Sequence, residues 1–169
     1  QASTTNWHTV QMWKELGATR VVAAREVSLA DLKEMKDNVD IEIESFVHGS
    51  MCISYSGRCL LSNYMTGNRD ANRGQCSQSC RWKYSLVESN RPGEYYPIEE
   101  DEHGTYIFNS KDLCLIHRIP DLYEAGIDSL KIEGRMKSVH YCATVAKVYR
   151  TAIDTYLKEG KDWYVRPEW

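Results

Sequence analysis

Residues 20–46 read RVVAAREVSLADLKEMKDNVDIEIESF. The β-branched pair Val21 and Val22 makes Arg20–Ala24 a strand candidate. Ser28 then stands where a helix N-cap belongs, Asp31 completes a capping box, and Leu29, Leu32 and Met35 recur at helical spacing as a buried stripe. Asp40–Phe46 predicts a second strand. Upstream, Thr5 or Asn6 caps a helix carrying Val10, Trp13 and Leu16, with Gly17 as its stop. Helix, strand, helix, strand with short connections is the pattern of parallel βαβ units.

Downstream, Leu122–Ala125 predicts a helix ending at Gly126, followed by a strand through Ser129–Ile132. Ser138 opens the clearest element, a helix whose Val139, Cys142, Val145, Tyr149, Ile153 and Tyr156 keep to one face until Gly160. A stripe of that kind covers a sheet. Tyr84–Glu88 and Thr105–Phe108 are short strand candidates, separated by the turn Arg91-Pro92-Gly93 and the acidic stretch Glu99–Glu102. The expected class is therefore α/β: a partial TIM-barrel-like parallel sheet with helices and a long cysteine-rich loop. The strand–helix alternations are too few to close an eight-stranded barrel. One such domain is expected over residues 1–160, with a cysteine-rich insertion at 48–83, and 161–169 as the start of a linker to a further C-terminal region.

The chain of 169 residues is 42% hydrophobic and 27% charged, which fits an ordered globular domain and excludes a fibre or a disordered tail. No stretch approaches the roughly 20 apolar residues that span a bilayer, and Gln1–Asn6 is polar, so no membrane partner and a cytoplasmic setting are expected. The formal charge of −3 makes no global case for a polyanionic partner. Locally the balance reverses: Arg58, Arg69, Arg73, Arg81 and Lys83 lie between Cys52 and Lys83 against the single carboxylate Asp70.

From His48 to Arg81 both periodicities vanish, so something other than apolar packing must organise the segment. Its spacing Cys52-x6-Cys59-x16-Cys76-x3-Cys80 offers four thiols, and a four-thiolate cage suits zinc and an iron–sulfur cluster equally. A chain this long needs no disulfide framework to bury a core. Cys114 and Cys142 have apolar neighbours and are expected to pack as small hydrophobes. Arg69, Arg73, Arg81 and Lys83 are candidate contacts to RNA phosphates, and Trp82 and Tyr84 candidates for stacking on an exposed base. The competing reading of each is a solvated charge or a core-filling ring. Glu44 and Glu133 fall in or just beyond predicted strands, where a barrel displays functional groups. Glu133 and Arg135 flank Gly134, so they serve either a small carboxylated metabolite or an internal ion pair. With His48, these three are the candidate catalytic residues. His48 and Ser50 lie close in sequence, which by itself does not make a triad.

The run Glu44-Ser45-Phe46-Val47-His48-Gly49-Ser50-Met51-Cys52, continued by Ser56-Gly57-Arg58-Cys59-Leu60-Leu61-Ser62, Asn72-Arg73-Gly74-Gln75-Cys76 and Cys80-Arg81, resembles the signature of the collagenase-like peptidase family U-32. Asn109-Ser110-Lys111-Asp112-Leu113 and Lys131-Ile132-Glu133-Gly134-Arg135-Met136-Lys137 extend the resemblance over nearly the whole chain. It implies an incomplete or elaborated TIM barrel, with further barrel before Gln1 and a further domain after Trp169. It also implies the branch that serves prephenate-linked 5-hydroxylation of the tRNA wobble uridine, beside a branch that hydroxylates a cytidine of 23S ribosomal RNA. On that resemblance a 4Fe-4S cluster, with zinc as the alternative, is held by Cys52, Cys59, Cys76 and Cys80. The partners expected are tRNA ahead of ribosomal RNA, a prephenate-derived carboxylated metabolite, and a second family subunit or self-association. The alternatives are the peptidase activity of the family name, or a fragment with only a structural zinc or RNA-binding role. An isolated fragment is expected to be inactive. Asn68, where relatives often run directly from glycine to arginine, alters the loop without removing a cysteine.

Overall fold

The computed structural model describes residues 2–52, 54–56, 58–82, 84–97 and 112–169. Helix α1 (Trp7–Glu15) begins at Asn6, whose side chain accepts the Thr9 N–H at 3.0 Å. Strand β1 (Arg20–Val22) leads to α2 (Leu29–Asn38), where the Ser28–Asp31 capping box forms as the sequence predicts. Strand β2 (Glu42–Gly49) is followed by the short helix α3 (Leu61–Thr66), and β3 (Ser85–Leu86) pairs antiparallel with β4 (Tyr96–Pro97). After β5 (Leu113–Cys114) come α4 (Ile119–Glu124), β6 (Ser129–Glu133) and the long helix α5 (Val139–Glu159).

Strand β2 is the centre of the sheet. It pairs in parallel with β1 and β6, and Glu44 is matched to both Val22 and Ser129, so β1 and β6 flank β2 on opposite edges. The result is an α/β fold with an unclosed, mainly parallel sheet, consistent with a partial TIM-barrel-like arrangement; among the described residues only β5 joins it antiparallel, at His48 and Gly49. One face is covered by helices. Val21, Ile43 and Val47 bury there against Val10 of α1, Leu32 and Met35 of α2, Leu122 of α4, and Tyr149 and Ala152 of α5. The opposite face is charged, carrying Arg20, Glu44 and Lys131, because period-two alternation turns these side chains away from the core.

The β2–β6 register shifts between Phe46 and His48. Val47 is the extra residue, and its carbonyl is satisfied from outside the ladder by the Leu115 N–H at 2.9 Å and the Tyr149 hydroxyl at 2.8 Å. Beyond the bulge, Gly49 has φ +102° and lies in register with Glu133.

Sequence and structure differ at several places. Strand β1 stops at Val22, although the Ala23 N–H still reaches the Glu44 carbonyl at 2.9 Å, and β2 runs on to Gly49. Strand β5 has no counterpart in the sequence reading, and Cys114 within it is exposed, contrary to the expected core packing. The Thr105–Phe108 strand candidate and the acidic stretch Glu99–Glu102 lie outside the described residues. The segment expected to be a long cysteine-rich loop is not a distinct loop. It contains α3 and two 3-10 turns at Ala71–Arg73 and Ser79–Arg81, held by a buried Ser62–Ser77 hydroxyl pair at 3.0 Å and by Gln78 Nε2 donating to Ser50 Oγ at 3.0 Å. Hydroxyls and amides supply the order for which the sequence suggested only thiolates. Among the described residues no helix is long and apolar enough to cross a membrane.

Candidate functional site

Three of the described segments end together beyond the C-terminal ends of the parallel strands, the side on which open α/β sheets bind ligands. Arg25 follows β1, Ser50–Cys52 follow β2, and Glu133 ends β6. Arg25 and Glu133 form an ion pair at 2.9 Å with side chains only 8% and 10% exposed. The Arg25 guanidinium lies 3.8 Å from the Phe46 ring centroid, a cation–π contact that covers its other face. Burial pulls the Arg25 pKa below the usual arginine range, against the attraction of Glu133. The Arg135 N–H donates to Glu133 Oε1 at 3.1 Å and its guanidinium stands 3.8 Å from Oε2. Of the two sequence-stated roles for Glu133 and Arg135, the internal ion pair is thus formed, with Arg25 as its main cation.

These residues border a narrow cavity of about 60 Å³ that is also lined by Cys52, Cys59, Cys76 and Cys80. All four are free thiols. Burial pushes the Cys52 and Cys80 thiols up, and their neighbouring cysteines push them further, so both are neutral at pH 7. Cys76 Sγ accepts the Gln78 N–H at 3.4 Å. Among the described residues no group of three or more His, Cys, Asp or Glu side chains is placed to hold a metal ion. That overturns the 4Fe-4S or zinc site expected of these cysteines, and with it an iron–sulfur form of the hydroxylation reaction. The four thiols share their cavity with Arg25, Gln78 and Arg81 and do not form a ligand group there.

The other candidate catalytic residues sit in separate clusters. Glu44 is mid-strand, accepting from Lys131 Nζ at 2.8 Å and Ser129 Oγ at 2.9 Å, with Arg20 at 3.7 Å. Burial alone would raise its pKa, but the Lys131 and Ser129 hydrogen bonds prevail and hold the carboxyl below the usual range. His48 is turned by the bulge toward Tyr141 and Tyr149, with ring centroids 5.9 and 5.5 Å away. Burial lowers its pKa, leaving it neutral at pH 7, and its Nδ1 is buried without a hydrogen-bond partner. The Ser50 hydroxyl is engaged by Gln78, so His48 and Ser50 do not form a nucleophile–base pair.

The basic residues divide in the same way. Arg73 is open to solvent, its side chain 83% exposed and 3.9 Å from Asp70. Arg69 bonds the Gln75 carbonyl at 3.1 Å and rests against Met136. Arg81 turns inward to Asp112 at 2.9 Å and to the Met51 carbonyl at 3.2 Å. Trp82 is 46% exposed and stacks on Tyr84, with centroids 6.5 Å apart, while the Tyr84 hydroxyl donates to the Ser79 carbonyl at 2.5 Å. Lys83 lies outside the described residues. Arg25 and Asp112 were missed by sequence reasoning. Arg25 had a usable signal, a cation just past a strand at the level of Glu133; Asp112, which also binds Lys137 at 2.7 Å, had none, because its partners come from distant segments.

A second cavity, of about 520 Å³, opens on the charged face of the sheet. Its apolar walls include Trp13, Val22 and Phe46, and its charged lining residues are Arg20, Arg73, Lys131 and Arg135. The family model for peptidase family U32 matches residues 1–169. The chain belongs to peptidase family U32. It is 54% identical to tRNA hydroxylation protein P1 of Bacillus subtilis (strain 168), over 100% of this chain and 40% of that protein. It is 44% identical to tRNA hydroxylation protein P of Escherichia coli (strain K12), over 91% of this chain and 43% of the relative. It is also 44% identical to a Methanocaldococcus jannaschii protein named as an uncharacterized protease, over 93% and 38%. The chain thus spans about two fifths of the length of these U32 relatives. No solved structure matches it significantly.

Proposed function

We propose that the chain is part of an RNA-modifying enzyme that acts on tRNA, in the hydroxylation branch of family U32. The observation that carries this reading is the open cavity whose charged lining, among the described residues, consists of Arg20, Arg73, Lys131 and Arg135, set in a chain with negative net charge. Arg73 at its mouth contacts RNA phosphate. Lys131, 5.4 Å from the Phe46 ring centroid, and Arg135, positioned by Glu133, suit a small carboxylated metabolite. The unclosed sheet is read as one part of a larger TIM-barrel-like domain over 1–160, with 161–169 leading into a further region, and the protein works in the cytoplasm. Similarity to two tRNA hydroxylation proteins supports the RNA reading. The peptidase reading has less behind it, because among the described residues His48 and Ser50, its nearest nucleophile–base candidates, are engaged elsewhere or unpartnered.

Arg73→Glu tests the assignment without disturbing the core, since the side chain is solvated and its nearest carboxylate stands at 3.9 Å. In titrations of labelled tRNA at several salt concentrations, the variant is expected to bind more weakly, with a salt slope smaller by about one counterion. Unchanged affinity and slope would remove Arg73 from the RNA surface.

A further inference from the structure

The narrow cysteine-lined cavity and the wide cationic cavity share a wall. Arg25, Glu133 and Arg135 border the first, Phe46, Lys131 and Arg135 border the second, and among the described residues Arg135 alone lines both. The wall has a fixed part and a loose part. Arg25 is fixed: its guanidinium pairs with Glu133 at 2.9 Å and lies on the Phe46 ring, 3.8 Å from the centroid. Arg135 is held at its backbone, where its N–H donates to Glu133 Oε1 at 3.1 Å. Its guanidinium stands 3.8 Å from Glu133 Oε2, beyond hydrogen-bond distance, and its side chain is 41% exposed. The carboxylate gives its closer contact to Arg25, so it holds the tip of Arg135 weakly. On the side of the wide cavity lies Gly74, where a Cβ would stand 3.7 Å from the guanidinium carbon; the glycine puts no side chain in the way of that arm.

A loosely held cation on the wall of a cavity responds to an anion that enters it. Arg20 and Lys131 are already engaged by Glu42 and Glu44, at 2.7 and 2.8 Å, and Arg73 stands in solvent. An incoming carboxylate therefore gains most from Arg135, because a bidentate carboxylate–guanidinium pair is a stronger contact than one held at 3.8 Å. The departure of Arg135 strands no buried charge, since Glu133 keeps Arg25 as its counter-ion. It does remove the piece of wall that the two cavities have in common. We propose that Arg135 is a gate: an anion bound in the wide cavity draws its guanidinium away from Glu133 and so opens the cysteine-lined cavity, making its thiols more accessible. The inference rests on the metabolite-binding reading above and adds that binding there controls access to a second compartment.

The test uses the full chain with malonate as the probe anion and sodium chloride at matched ionic strength as the control. Labelling of each cysteine by N-ethylmaleimide is timed by peptide mass spectrometry, and malonate binding is measured separately by calorimetry. Cys114, exposed and outside both cavities, reports any general change in thiol reactivity. Saturating malonate is expected to speed labelling of Cys52, Cys59, Cys76 and Cys80 about tenfold, an ordinary strength of coupling between two sites, and to leave Cys114 unchanged. Arg135→Ala removes the gate and is expected to label at the fast rate with and without malonate. Malonate binding with no rise in labelling, or a rise that chloride reproduces, overturns the gate and leaves the metabolite reading standing. Absence of malonate binding overturns the metabolite reading and the gate with it. A folded Arg135→Ala protein that labels as slowly as the unliganded wild type also overturns the gate, and the wild-type comparison decides alone if that variant does not fold.

Discussion

Gly49→Ala is expected to destabilise the protein by about 3 kcal/mol or more and to dislodge Glu133. Two independent costs meet at this residue. Its φ of +102° lies where an L side chain is strained, and a Cβ built there would stand 2.1 Å from the Glu133 carbonyl oxygen. That neighbour is backbone, paired in the β2–β6 ladder, so it cannot swing aside as a side-chain tip would. Relief requires the two central strands to separate just where they deliver Glu133 to the cysteine-lined cavity. Chemical denaturation measures the loss, and a variant that melts like the wild type would refute the close packing.

The second large effect concerns the Arg25–Glu133 pair. Glu133→Gln keeps the shape of the side chain but leaves the Arg25 charge, 8% exposed, without its counter-ion, and is expected to cost about 3–5 kcal/mol. Arg25→Lys should not rescue the site, because an ammonium cannot spread over the Phe46 ring as the guanidinium does. The double replacement Arg25→Met with Glu133→Leu is expected to recover much of the stability, since removing both charges also removes their desolvation cost. Denaturation of the two single variants and the double variant separates these outcomes. A loss in the double variant equal to the sum of the single losses would show that the pair is not energetically coupled.

The sequence made the scaffold legible where one local rule governed each element. Ser28 with Asp31 marked the start of α2, Ser138 that of α5, and the apolar spacing of Leu32, Met35 and Tyr149 marked the faces they bury. The glycine-rich and serine-rich segment after β2 was read through its cysteines because their spacing is conspicuous, while the contacts that order it, Ser62 with Ser77 and Gln78 with Ser50, are unremarkable residue types joined across the chain. The metal expectation failed for that reason: the chain brings four thiols to one cavity but does not bring them into a ligand group. The charged residues show the same limit. Glu133 and Arg135 were found from a strand end and a glycine turn, whereas Arg25, their strongest partner, is 108 residues from Glu133 in sequence and enters only through the parallel pairing of β1 and β6 with β2. His48 was read as the start of the segment without periodicity, past the predicted strand, and only the bulge at Val47 explains why it faces the tyrosines of α5.

The central claim is that this U32 chain serves tRNA hydroxylation. Nucleoside mass spectrometry of total tRNA tests it most directly, comparing cells that carry the gene, cells that lack it, and cells in which the wild type or Glu133→Gln is restored. The account predicts that a hydroxylated nucleoside disappears with the gene, returns with the wild type, and does not return with Glu133→Gln. A hydroxylated nucleoside profile that is identical with and without the gene would contradict it.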